Sequence, residues 1–584
     1  MIFTDKRVHA SGPKSAKLAA IGMAPAKQEL IDGKPLVGPS GRIFDEALIA
    51  NKIGRPSVFV TNLCEFYIDD NDLYSVPREV MERERERVFK ELDSVKPNCL
   101  LIMGVQTLVL LKEGYVGPYG SKAQRAAAAK WGITKWRGSI LSLPLPSGRV
   151  QKCVVAMHPA SFLRGQWKWF PLFKYIDVKR AVAQSSFSEI RLTERRTIVP
   201  TDVGQAIEYL ANLEKQEWVS IDYEGRKHLS VLGVGSSPNE AMSIPLSRSS
   251  SSRYWSLENE AHIWKAWTHL LENQNVKKIA QNAAFEWIKS WLYGIYPRNL
   301  GIDTMHAHHC LYPDFGGISD EWEGKKRDID NPGHGLALLT SQYTDQPYYK
   351  DDGRHWTTEL GELRFWEYNG TDVMVTYEVG MKMLAELKSL GLWEAYVQQY
   401  RDPFEKCMQM EWMGINQDLE KRAFANAVNH CQIEEIRAEL KTLTGLDVIT
   451  KANGSKPNAG TLNLGSPKQL GTWLKARGYK AQIKYDKKTK KAKESWDKEV
   501  IAKLVIDHPK DRALRLIAEV NKKQDFHDKV IAVKMDEYGR LHCHWKLGGT
   551  NGTRWSSAKS ILDSGQNLQN LPRTGVARHF FLPN

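Results

Sequence analysis

The sequence predicts an α/β protein whose last third turns mainly helical, and three observations carry that prediction. Short apolar runs end in glycine or polar residues, as in Val58-Phe-Val-Thr-Asn62, Cys99-Leu-Leu-Ile-Met-Gly104 and Val154-Val-Ala-Met-His158, with an amphipathic stretch at 42–49. Such runs read as buried strands, and their alternation with helical stretches reads as an α/β sheet. Next, Glu217-Trp-Val-Ser-Ile-Asp-Tyr-Glu224 alternates with period two and opens a second α/β region. Beyond Glu405 the spacing becomes mainly helical.

In chain order, Ile21-Gly-Met-Ala-Pro-Ala26 is a strand end turning into a loop, and Gly33-Lys-Pro-Leu-Val-Gly-Pro-Ser-Gly41 opens the helix at 42–49. Backbone amides at such a helix start can face a phosphate or a base. Asn62 and His158 each close a strand, which is how α/β sites are assembled. Glu82-Arg-Glu-Arg-Glu-Arg87 shares a helix with Val80, Val88, Phe89 and Leu92 and is expected to be a solvated face. A polar stretch from Gln184 to Arg196 separates the two α/β regions.

In the second region Val219, Ile221 and Tyr223 can bury one strand face, leaving Asp222 and Glu224 side by side on the other. Two adjacent anions repel each other unless a cation sits between them, so this pair is a candidate metal site. Strands at 229–235 and 240–246 complete an antiparallel ribbon, and Lys277-Lys-Ile-Ala-Gln-Asn-Ala-Ala-Phe-Glu286 is a short strand leading into a helix. Tyr368-Asn-Gly-Thr-Asp372 puts a phenol and a carboxylate on one helix face. His306-Ala-His-His-Cys310 offers too many ligands too close together to surround one ion tetrahedrally, and it falls on an expected helix. His542 and His544 are expected to share a strand face in a structural role.

Composition narrows the partners. The chain of 584 residues has room for about four domains, and 42% hydrophobic with 26% charged residues marks it as globular, not disordered. No apolar run approaches a membrane span, and the N-terminus lacks a signal peptide's apolar stretch, so no membrane partner is expected. Seven cysteines without a CxxC pair argue against a disulfide framework or zinc ribbon, and a cytoplasmic location is expected. Eighty-two Lys and Arg against 68 Asp and Glu give a net charge of +14, which favours a polyanionic partner. Tryptophans beside basic residues, at Trp136, Trp167, Trp169 and Trp555, suit stacking on bases. Most tryptophans of a globular chain nevertheless belong to its core.

The Asp222/Glu224 strand, the Asn282-to-Glu286 segment and the Tyr368/Asp372 helix, in that order, resemble the proofreading 3′–5′ exonuclease domain of family A DNA polymerases. This is the ribonuclease H-like type with tyrosine in its third motif. The resemblance implies that Asp222, Glu224, Glu286 and Asp372 hold two divalent metal ions, Mg²⁺ or Mn²⁺, and that Tyr368 orients the attacking water. Glu286 stands where the family carries Asp, which implies altered geometry more than lost activity.

The N-terminal segments, together with Lys96-Pro-Asn-Cys99 and His158-Pro-Ala-Ser-Phe-Leu-Arg164, resemble the iron–sulfur type of uracil-DNA glycosylase called family 4. By that resemblance Asn62 reads the edge of a flipped uracil, His158 stabilises the departing base, and Glu29 matches an acid of the first motif. Met23 replaces that motif's first Glu, Leu36 replaces the stacking aromatic, and the paired N-terminal cysteines are missing, so no iron–sulfur cluster is expected. A working glycosylase and a domain kept for DNA binding or subunit contact both remain open.

Residues 405–418 and 462–470 resemble the start of a family A polymerase domain. A basic insert at 484–493 falls in the thumb, either tracking phosphates or forming a solvated loop. Thr550-Asn-Gly-Thr-Arg-Trp-Ser-Ser557 and Gln566-Asn-Leu-Gln-Asn-Leu-Pro572 resemble the family's primer–template motif, which implies DNA contacts by Arg554, Asn567, Gln569 and Asn570. The family's palm aspartates and fingers would follow Asn584.

The expectation is therefore an α/β/α glycosylase-like domain (1–185), a ribonuclease H-like exonuclease domain (196–392) and the thumb with the first palm segment (393–584). The chain would be a subunit of a split or truncated family A polymerase of bacteriophage type. Its partners would be primer–template DNA, a single-stranded 3′ end and a second chain carrying palm and fingers. A stand-alone exonuclease/glycosylase repair enzyme and a non-enzymatic DNA-binding scaffold are the alternatives.

Overall fold

The computed structural model describes residues 3–582 except 70–72, 74–75, 118–120, 226–227, 317–331, 355–358, 451–459, 487–490, 563 and 572–575. Two compact units emerge: Met1–Glu405 with Leu547–Trp555, and Lys406–Lys546 with Ser556–Asn584.

Among the described residues the first unit holds two large sheets and one small antiparallel pair of strands, Phe3–Arg7 with Phe66–Ile68. Its N-terminal strands are β1 (Phe3–Arg7), β2 (Leu18–Gly22), β3 (Val58–Asn62), β4 (Phe66–Ile68), β5 (Cys99–Met103), β6 (Ile140–Pro144) and β7 (Val150–Ala156). The main sheet has the order β3-β2-β5-β7-β6, parallel except for β6 at one edge. Every residue of β2, β3 and β5 is buried, as expected of parallel strands covered on both faces. One covering layer packs Val88, Leu92 and Leu108 against Ile21 and Ile102. The other packs Phe44, Leu48 and Phe173 against Ala20 and Leu101, and it also takes in Phe315 and Leu338 from the second region. The two α/β regions thus share a core.

The charged run Glu82–Arg87 corrects the expectation of a solvated face. Glu84 is buried on the helix Arg78–Val95, where its carboxylate accepts from Arg7 at 2.8 Å, Arg87 at 3.1 Å and the Glu65 amide at 3.2 Å. Arg87 in turn donates to the carbonyls of Asn62 at 2.7 Å and Leu63 at 3.0 Å. Position 84 lies one turn from Val88 on the inward face, and its cation on β1 is far away in sequence, so local charge alternation does not reveal the pairing.

The second sheet comprises β8 (Arg196–Ile198), β9 (Trp218–Glu224), β10 (Val231–Gly235), β11 (Glu240–Pro245), β12 (Lys277–Ala280) and β13 (Leu300–Asp303) in the order β13-β12-β9-β10-β11-β8. The ribbon β9-β10-β11 is antiparallel, and β8, β12 and β13 join it in parallel. The long helix Glu359–Ser389 packs across β9, β10 and β11. Gly233 permits the approach, because a Cβ there would lie 2.5 Å from Asn369 Oδ1 and 2.7 Å from Val373 Cγ2.

The histidines of the helix Thr304–Leu311 are buried and hydrogen-bonded. His308 Nδ1 meets His334 Nδ1 at 2.7 Å, His334 Nε2 meets the Gly316 carbonyl at 2.7 Å, and His309 meets Tyr400 Oη at 2.7 Å and the Thr550 carbonyl at 3.1 Å. Burial pulls His309 and His334 from the ordinary 6.5 down to about 4, and it holds His308 well below the ordinary value. These rings are neutral in the fold, whereas the unfolded chain protonates them below 6.5. Stability is therefore full above pH 6.5 and falls as pH drops toward 4, by at most about 3 kcal/mol per histidine. His334→Gln is expected to reduce the loss in urea midpoint between pH 7 and pH 5 relative to wild type, and an unchanged loss refutes this account.

In the second unit the helix Leu419–Thr444 packs on Arg512–Phe526 around Leu440, Leu474, Leu514 and Ile517. The basic insert forms the paired strands Gln482–Asp486 and Lys491–Ser495, with 487–490 outside the described residues. Lys484 is engaged by Asp497 at 2.6 Å and Glu499 at 2.8 Å. His542 and His544 do not share one strand, since Arg540–Leu541 and His544–Lys546 are separate. Both rings close on buried Glu411: His542 Nδ1 on its carbonyl at 2.7 Å and His544 Nδ1 on its carboxylate at 2.6 Å. Among the described residues no helix is long and apolar enough to cross a membrane.

Candidate nuclease centre and glycosylase-like pocket

Strand β9 and the long helix bring three carboxylates together. Asp222, Glu224 and Asp372 each present an oxygen, and the three oxygens lie within 4.8 Å of one another. Alternation along β9 produces the first two, with Val219, Ile221 and Tyr223 buried on the opposite face. Tyr223 is pinned there by Trp267 Nε1 and Ser290 Oγ, each at 2.8 Å from its hydroxyl. Asp372 follows Tyr368 by one helical turn. Burial, then the charges of Asp372, Glu224 and Glu286, push the Asp222 carboxyl well above the usual range. Crowded anions of this kind are a donor set that suits divalent cations.

Glu286 lies in the first turn of the helix Ala284–Leu292, buried, and is not one of the three grouped carboxylates. Its Oε2 has no hydrogen-bond partner among the described residues, and burial raises its pKa well above the ordinary value. The segment before it is clamped by buried Asp303, which accepts from the amides of Asn282 at 3.1 Å and Ala283 at 2.8 Å. Asn282 has φ +64°, a left-handed conformation that asparagine tolerates well. Burial, then Asp372, Glu224 and Asp222, raise the Tyr368 phenol far above its ordinary pKa.

Three further side chains complete the centre. Asn369 Nδ2 donates to Asp222 Oδ2 at 2.8 Å while its Oδ1 accepts from Ser243 Oγ at 2.8 Å. Tyr349 Oη donates to Asp372 Oδ1, and Lys350 Nζ lies 2.6 Å from Asp372 Oδ2. Asn369 was recoverable from sequence, since it lies on the Tyr368/Asp372 helix three residues before Asp372. Tyr349 and Lys350 follow the helix Leu336–Tyr343 in an irregular segment, and no periodicity marks them.

At the other sheet, the ends of β2, β3 and β7 converge. A Cβ on Gly22 would lie 2.6 Å from Asn62 Oδ1 and 3.7 Å from His158 Nε2. Asn62 is 3% exposed, and its Nδ2 has no partner among the described residues. His158 Nδ1 accepts from the Ala160 amide at 3.2 Å, which leaves the ring proton on Nε2. Burial, then Arg164, pull its pKa down to about 4. The two oxygens of Glu29 accept from the amides of Ala26 at 2.8 Å and Gly38 at 3.1 Å, clamping the glycine-rich loop.

The expected DNA-contacting residues are divided. Exposed Arg554 belongs to the first unit, and Asn567, Gln569 and Asn570 belong to the second. Asn567 Oδ1 accepts from Ser557 Oγ at 2.6 Å and from the Gln569 amide at 3.0 Å, and the Gln569 side chain is exposed. The Asn570 side chain lies outside the described residues. Trp555 and Trp167 are 41% and 51% exposed, whereas Trp267 and Trp287 are fully buried.

Comparison with known proteins separates the two α/β regions. Residues 9–173 match the family model for the uracil DNA glycosylase superfamily, and residues 198–388 match that for a 3′–5′ exonuclease. A type-4 uracil-DNA glycosylase of Archaeoglobus fulgidus is 28% identical over 93 residues, covering 16% of this chain and 46% of that protein. DNA polymerase I of Synechocystis sp. is 26% identical over 361 residues, covering 60% of this chain and 32% of that protein. DNA polymerase I of Rhizobium leguminosarum is 26% identical over 322 residues, covering 53% and 28%. A solved POL domain of Pol1 from M. smegmatis, complexed with DNA primer-template and dNTP, aligns with TM-score 0.46 and 17% identity over 66% of this chain and 57% of that one. The chain spans about a third of the length of the curated polymerases it matches. Residues 9–173 are a uracil-DNA glycosylase-like domain, and residues 198–388 are a 3′–5′ exonuclease domain of the DNA polymerase I type.

Proposed function

We propose that this chain supplies proofreading to a family A DNA polymerase by hydrolysing the last phosphodiester of a single-stranded 3′ end. The observation that carries this is the convergence of Asp222, Glu224 and Asp372 within an exonuclease domain. Bound Mg²⁺ or Mn²⁺ would activate water and stabilise the leaving 3′-oxygen.

The chain's own groups divide the remaining work. Asp222, Glu224 and Asp372 provide the anionic ligands, and Glu286 supplies a fourth carboxylate beside them. Asn369 holds Asp222 in one orientation through the bond to Oδ2. Burial, then Asp372, Glu224 and Asp222, raise the Tyr368 phenol above its ordinary pKa, which favours a part in orienting water by hydrogen bonding. A net charge of +14 favours the approach of the DNA.

The functional regions are proposed as 1–185, 196–392 and 393–584. In this reading Arg554, Asn567, Gln569 and Asn570 grip primer–template, and synthesis needs palm and fingers from a second chain in the cytoplasm. With Mg²⁺, the purified protein is expected to shorten a 3′-mismatched primer from its 3′ end, and an intact primer sinks the proposal.

A second reading concerns the N-terminal domain. The unpartnered Asn62 amide beside the neutral His158 ring favours binding of a base edge. The engagement of both Glu29 oxygens by the loop favours holding the base over cutting it.

A further inference from the structure

We infer that Lys350 is a built-in counter-cation of the exonuclease centre, which a divalent ion must displace from Asp372, and that the glycosylase-like domain holds it there. The inference rests on the exonuclease reading. Both Asp372 oxygens are engaged: Oδ1 by the Tyr349 hydroxyl and Oδ2 by the Lys350 ammonium at 2.6 Å. The same ammonium lies 4.5 Å from the centre of the Tyr368 ring, on the negative face of that phenol. It therefore sits among the groups expected to ligate metal and orient water. A divalent ion bound through Asp372 Oδ2 competes for the same lone pairs and is repelled by the ammonium. Metal binding and the Lys350–Asp372 bond therefore exclude each other.

The segment that carries Lys350 is also held from outside the exonuclease fold. The Tyr348 amide donates to Ser139 Oγ at 3.1 Å, and the Tyr348 ring packs on Trp136 at 5.3 Å. On the far side, Lys135 Nζ pairs with Asp351 at 3.1 Å. Lys135, Trp136 and Ser139 all lie within the glycosylase-like domain, so the strap Tyr348–Asp351 is tied down on both sides of Lys350 by that domain. Loosening these ties frees the ammonium from Asp372 without touching a carboxylate.

The test is Mn²⁺ affinity of the full chain without DNA, read by calorimetry or by the electron paramagnetic resonance signal of free Mn²⁺. Lys350→Met and Lys350→Gln are each expected to bind Mn²⁺ about tenfold more tightly than wild type, and the Lys135→Ala/Trp136→Ala pair about threefold more tightly. Asp222→Asn serves as the control that loses the site, and circular dichroism verifies that each variant is folded. If Asp222→Asn weakens Mn²⁺ binding but both Lys350 variants match or fall below wild type, the counter-cation is refuted while the metal centre stands. Unchanged affinity in the Lys135/Trp136 variant refutes the tie to the glycosylase-like domain. If wild type and Asp222→Asn bind Mn²⁺ alike, the exonuclease reading itself fails.

Discussion

Asp222→Asn is expected to lower exonuclease turnover by at least about 10³-fold, equivalent to about 4 kcal/mol of transition-state stabilisation. The same substitution is expected to raise, not lower, the thermal midpoint in EDTA. The two effects share one cause. Asp222 is pushed well above the usual carboxylate range by burial and by the charges of Asp372, Glu224 and Glu286, so its ionised form is unfavourable in the metal-free fold. Asparagine removes that charge, keeps the shape and still accepts from Asn369 Nδ2, which bonds Asp222 Oδ2 at 2.8 Å. Loss of a ligand therefore accompanies relief of repulsion, which is the signature of a site organised for a cation. A thermal midpoint in EDTA that falls with activity would instead make Asp222 a structural residue. The readouts are primer shortening at saturating Mg²⁺ and a melt in EDTA.

The strand and helix spacings that suggested this centre are physical and local, which is why they were legible. Period two on β9 separates Asp222 and Glu224 from Val219, Ile221 and Tyr223, and one helical turn joins Tyr368 to Asp372. Glu286 was harder to place. Sequence puts it at a helix start, but whether its carboxylate joins the other three depends on how β12 and β13 seat that helix against β9. Tyr349 and Lys350 were illegible, since an irregular segment carries no period and their partner lies on another element.

The same division holds for the fold. Central strands such as β2, β3 and β5 are read easily because burial on both faces leaves continuous apolar runs. Glu84 was misread because its cation, Arg7, is supplied by a strand at the start of the chain. For Glu29, the turn at 33–38 brings the Gly38 amide back to its carboxylate, a contact that spacing does not announce. Both are charged groups whose partner is distant in sequence or contributed by backbone, and residue spacing carries neither kind of information.

Arg137→Ala is expected to destabilise the first unit by about 3–5 kcal/mol, among the largest effects of any single substitution in this chain. Arg137 is 1% exposed and Asp177 is fully buried. The guanidinium grips that carboxylate through Nε at 3.1 Å and Nη2 at 2.5 Å, and its Nη1 donates to Ser341 Oγ at 2.8 Å. Ser341 belongs to the helix Leu336–Tyr343 of the exonuclease region, so this ion pair lies where the two α/β regions meet. Even with Arg137 present, burial dominates and the Asp177 pKa is raised. Alanine would leave a buried carboxylate with no hydrogen-bonded cation and only the charge of Arg180 nearby, and it would leave the Ser341 hydroxyl without this donor. The loss therefore measures a stranded charge, not the net worth of the pair. For that reason Arg137→Met combined with Asp177→Leu is expected to lose less than Arg137→Ala alone, because apolar side chains of similar size refill the junction and the Arg180 guanidinium that remains there donates to the Gly138 and Thr344 carbonyls. Urea unfolding of the three proteins at pH 7 decides it. If the double variant loses as much as Arg137→Ala, packing and not charge holds the junction together.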